Sequence, residues 1–79
     1  MRLKFQTSAG ESYHIDIDVP DIDPYWAFSE LMFRLIKKVQ GGHANAIMLY
    51  LMDKDLNVIR YAHLWATQSG RVLTQITES

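Results

Sequence analysis

The sequence predicts an α+β fold of order ββαβββ, with one helix packed on one face of a mostly antiparallel sheet. Three observations carry this reading. Two short stretches near the start alternate apolar and polar residues with a period of two. Residues 21–42 repeat their apolar residues at helical spacing, between a capping acid and a glycine pair. Three further stretches rich in β-branched, aromatic and aliphatic residues follow, separated by turn residues.

The elements follow in order. RLKFQT sets Leu3, Phe5 and Thr7 against Arg2, Lys4 and Gln6, and YHIDIDV sets Tyr13, Ile15, Ile17 and Val19 against His14, Asp16 and Asp18. Both patterns describe half-buried strands, and SAGES between them describes the turn of an antiparallel hairpin. One register pairs Leu3 with Ile17, Phe5 with Ile15, Lys4 with Asp16 and Arg2 with Asp18. A register shifted by two residues keeps the same faces and uses Gly10 as a bulge glycine. Pro20 closes the second strand because it has no N–H to donate. Asp23 is suited to cap a helix whose first residue is Pro24. That helix is expected over Pro24–Gln40, with Gly41 or Gly42 taking the left-handed position that ends it and Lys37 and Lys38 near its negative end. Strands are then expected over Ala46–Met52, Val58–Ala66 and Arg71–Thr77, joined by turns at DKDLN and TQSG.

Composition bounds the rest. Seventy-nine residues make one domain, spanning 1–79, with a modest core. Hydrophobic residues at 48% and charged residues at 22% belong to a folded chain, and a net charge of −1 gives no general pull toward nucleic acid or anionic lipid. Without cysteine there is no disulfide, thiol nucleophile or thiolate metal site. The N-terminus lacks the apolar run of a secretion signal, and the longest apolar stretch, Ala46–Met52, is too short to span a bilayer. The expectation is a soluble cytoplasmic protein. Acids dominate up to Glu30 and bases after it, and mutual neutralisation of the two halves is the expected outcome.

On a helical wheel of roughly 100° per residue, Phe28, Leu31, Met32, Leu35, Ile36 and Val39 form one stripe. Trp26 and Phe33 fall far from it, among Glu30, Lys37 and Gln40. Two aromatics on the wet side of a helix read as an anchor for a partner, with Ile36 at the edge. In a single sheet, AIMLYLM is apolar on both faces: Ile47, Leu49 and Leu51 can meet the helix, leaving Met48, Tyr50 and Met52 on the other side. A five-residue loop would pair Met52 with Val58, Tyr50 with Arg60 and Met48 with Ala62. The far face would then carry Val58, Ala62 and Leu64 around Arg60, with Tyr61, His63 and Trp65 under the helix. The expected partner-binding residues are thus Trp26, Phe33, Lys37, Met48, Tyr50 and Leu64.

No metal, cofactor or catalytic set is expected. His14, Asp16 and Asp18 share one strand face, but neighbours there stand roughly 6.8 Å apart and do not converge readily on an ion. DKDLN lacks the glycine and closing glutamate of a calcium loop, and the glycines of QGGHAN follow a helix instead of opening one. His43 and His63 have no nucleophile or acid at motif spacing. The function expected is a non-enzymatic protein-interaction module, as a homodimer or docked on a larger protein. Its size is comparable to that of compact regulators encoded by bacteria and phages. The alternative is nucleic-acid binding by Arg34, Lys37 and Lys38 with aromatic stacking from Trp26, Phe33, Tyr50 or Tyr61.

Overall fold

A computed structural model describes residues 1–17 and 21–79. Its order is β1 (Arg2–Thr7), β2 (Ser12–Asp16), α1 (Pro24–Gln40), β3 (Ala46–Met52), β4 (Val58–Ala66) and β5 (Val72–Glu78). The ββαβββ order and the α+β class hold. The expected positions of Asp18, Val19 and Pro20 lie outside the described residues.

The helix begins and ends for the reasons its sequence gives. The Asp23 side chain accepts the Tyr25 N–H at 2.9 Å, with Pro24 next in line. At the other end Gly42 takes φ 79°, its N–H reaches the Val39 carbonyl, and the His43 N–H reaches that of Lys38. This is a Schellman stop, which needs the left-handed residue that glycine supplies.

All three hairpins use one turn design. Thr7, Asp53 and Thr67 each donate their N–H to the carbonyl four residues on, and each carbonyl accepts the N–H three residues on. The same side chains also accept an N–H from Glu11, Asn57 and Arg71 respectively. The fourth position is left-handed in every case: Gly10, Leu56 and Gly70. This turn selects the hairpin register with Gly10 in the bulge, so Leu3 faces Ile15 and Arg2 faces Asp16. The register pairing Leu3 with Ile17 does not occur.

The strands form one antiparallel sheet in the order β2-β1-β3-β4-β5. The chain leaves β2, crosses in α1 and returns as β3 on the other side of β1. Leu3, Ile47, Leu49, Leu51, Ala62 and Leu64 of the sheet bury against Phe28, Leu35 and Val39 of the helix. The helix lies over β3 and β4 and touches β5.

The β3–β4 register corrects the expected face of β4. Met52 does pair with Val58, but Leu51 then pairs with Arg60, so Ile59 is one residue extra. Beyond this bulge every side chain of β4 switches face. Ala62 and Leu64 are fully buried beneath the helix, and Tyr61, His63 and Trp65 lie on the opposite face, partnered with Tyr50, Met48 and Ala46. Arg60 also comes to the helix side. Its guanidinium lies 4.5 Å from the Tyr25 ring centroid and forms an ion pair with Glu78. Space gives the reason: a helix already bringing Phe28 and Leu35 leaves room for Ala62 below it, not for three rings.

Candidate interaction surfaces

Every described element outside the sheet lies on the Leu49 side. The other side therefore carries the alternate residues of each strand with no described element upon them. Its middle is Met48, Tyr50 and Met52 from β3 with Tyr61, His63 and Trp65 from β4, all half-buried by one another. Tyr50 and Tyr61 sit directly opposite with centroids 6.3 Å apart, and His63 stacks on Trp65 at 4.7 Å. Around this strip stand Arg2, Lys4 and Gln6 of β1 and Leu73, Gln75 and Thr77 of β5. At the outer margin Arg2 donates to Asp16 at 2.7 Å, and this guanidinium holds the Asp16 carboxyl below its ordinary range. An aromatic and methionine centre within a polar border is the anatomy of a protein interface. β5 stays in the plane of the sheet and does not fold over the strip.

Of the six expected contact residues, Met48 and Tyr50 lie in this strip. Leu64 does not: it is in the core, fully buried beneath the helix. Tyr61, His63 and Trp65 take the place expected for Leu64, and the bulge at Ile59 that makes the exchange carries no signal in the sequence. Trp26 and Phe33 are 59% and 61% exposed, as their wheel positions require. They do different things. Trp26 borders an apolar groove of about 290 Å³ between α1 and the β1–β2 wing, with Leu3, Ile15, Ile17, Ile22 and Leu31. Phe33, two turns further along the same side of the helix, does not line that groove and lies one turn from exposed Lys37.

The groove exists because the helix is set to one side of the sheet. Ile15 of β2, 49% exposed, lines it, and Tyr13, equally exposed, packs its ring on Phe5 at 5.1 Å. Tyr13 donates its hydroxyl proton to Glu11 at 2.7 Å, and that carboxylate raises the Tyr13 pKa. Arg34, Lys37 and Lys38 follow one another at i, i+3 and i+4 on α1, and the other cations stand apart from them. Arg34 rims the groove beside Glu30, and Arg60 is engaged on the helix side, away from Tyr50 and Tyr61. The ion pairs Arg2–Asp16 and Arg60–Glu78 each join adjacent strands within one half of the chain, so they do not cross between the acidic and basic halves.

Among the described residues no three His, Asp or Glu side chains are placed to share a metal ion, and no helix is long and apolar enough to cross a membrane. No family model matches the chain, and no curated protein or solved structure matches it.

Proposed function

We propose that this protein is a non-enzymatic interaction module that docks on a larger protein through the helix-free face of its sheet and associates with a second copy of itself. One observation carries the reading: Met48, Tyr50, Met52, Tyr61, His63 and Trp65 form a continuous strip with no described element above it. Methionine adapts to irregular surfaces, and tyrosine and tryptophan combine large contact area with few rotors to freeze. Four strands at about 4.8 Å and six residues at about 3.4 Å give a footprint of roughly 400 Å² in projection. That size suits a docking contact of the transient class better than an obligate one. The Trp26 groove and Phe33 supply a second, smaller contact on the helix side.

The test is a photo-crosslinking amino acid at position 50, introduced in the native host. A covalent adduct of one defined mass is expected, and Trp65→Lys in the same chain should abolish it without changing the folded circular dichroism spectrum. The same crosslinker at Gln40, at the end of the helix, should give no such adduct. Absence of any adduct from position 50, or equal adducts from both positions, overturns the reading.

A further inference from the structure

We infer that the second copy joins at the free edge of β5, extending the two five-stranded sheets into one. This rests on the proposed self-association but assigns it to an edge, not to the aromatic face. The hydrogen bonds at the two ends of the β4–β5 ladder fix its phase. The Thr67 N–H donates to the Arg71 carbonyl and the Ser79 N–H to that of Ile59. Residues 73, 75 and 77 therefore spend their backbone groups on β4, and Val72, Thr74, Ile76 and Glu78 turn theirs outward.

The two edges of the sheet are not alike. β2 has five residues, of which Ser12, His14 and Asp16 turn their backbone outward, and it carries the Asp16–Arg2 pair. β5 has seven residues; its one charge is Glu78 at the end, paired with Arg60, and the six residues from Val72 to Thr77 contain no charge, proline or glycine. Natural sheets blunt an exposed edge with charges, proline or a bulge, and β5 has none of them before its last residue. Three of its four outward-turned residues are β-branched, the type that suits a paired strand.

The edge is also complementary to itself. Antiparallel pairing about Gln75 sets Val72 against the second copy's Glu78 and Thr74 against its Ile76. All four outward residues of each chain then exchange both backbone bonds. Registers displaced by two residues leave some of them unmatched. Ile76, 48% exposed at present, would lie beside the second copy's Thr74 and diagonal to its Ile76. The two-fold axis runs perpendicular to the sheet, so both helices stay on one side and both aromatic strips stay on the other, free for a partner.

Because the chain contains no cysteine, one introduced thiol reports the register directly. At the axis the two copies of residue 75 form a non-hydrogen-bonded pair with Cα atoms about 4.5 Å apart, within disulfide reach. Position 73 faces residue 77 of the second copy, so its own copies stand roughly 13 Å apart. Gln75→Cys is expected to oxidise to a covalent dimer of twice 9.2 kDa. Leu73→Cys is expected to stay monomeric on the same non-reducing gel. In the cysteine-free protein, Ile76→Lys should weaken the dimer at least tenfold by sedimentation, with its circular dichroism unchanged. Equal crosslinking at 73 and 75, or a dimer by light scattering that neither thiol captures, overturns the edge assignment and leaves self-association standing. A monomer at every concentration removes both, while the position 50 crosslink tests the docking face separately.

Discussion

Leu56 has φ 63°, a left-handed backbone that crowds the Cβ of any L-residue, and its side chain is 52% exposed. The two sister turns put Gly10 and Gly70 at the equivalent position. A side chain there costs about 1–2 kcal/mol in backbone strain. Glycine would relieve it but adds roughly 0.5–1 kcal/mol of unfolded-state freedom. Leu56→Gly is therefore expected to stabilise the fold by about 0.5–1 kcal/mol, a rise in melting temperature of roughly 2–8 °C for a domain of this size. Thermal unfolding followed by circular dichroism reads it directly, and an unchanged or lower midpoint would show that Leu56 makes contacts that offset its strain. The turn is held meanwhile by Asp53, whose carboxylate accepts the N–H groups of Asn57 and Asp55. The Asn57 N–H is the largest cause of an Asp53 pKa below the ordinary carboxylate value.

At the scale of the element, one residue of register decides which half of β4 is core. Lysine at Leu64 would bury an unpaired charge where the side chain is fully enclosed, so Leu64→Lys is expected to abolish folding. Lysine at Trp65, half-buried on the open face, is expected to cost about 1 kcal/mol or less. Urea unfolding of the two variants should rank them so; the opposite ranking would require β4 in the unbulged register. The same bulge explains what was legible in the sequence. Pro24, Gly41 and the turn residues punctuate the chain, so the helix and the spans of β3 and β4 read correctly, and β5 was displaced by one only because Arg71 belongs to its turn. Met48 and Tyr50 were legible as surface residues because AIMLYLM is apolar on both faces. Tyr61, His63 and Trp65 were not, because no glycine marks the bulge at Ile59. Alternation propagates a register; it does not reveal where one changes.

For the whole molecule, the lateral seat of the helix sets a gradient of stability across the sheet. β3 and β4 are paired on both sides and capped by Phe28, Leu35 and Val39. β2 is paired on one side only, every one of its residues is exposed, and the Trp26 groove separates it from the helix. Edge position alone would lower protection somewhat; edge position without an apolar cover should lower it much further, because little buried surface is lost when β2 peels away. Native-state amide exchange is expected to show Tyr13 and Ile15, whose N–H groups face β1, opening at least tenfold more readily than Ala62 and Leu64. In free-energy terms that is about 1.4 kcal/mol or more of difference in local opening. The comparison is informative because all four amides sit in antiparallel ladders of the same kind, so hydrogen bonding by itself predicts equal protection. Protection of Tyr13 and Ile15 equal to that of Ala62 would mean that the groove is occupied in solution and that the β1–β2 wing is held from above.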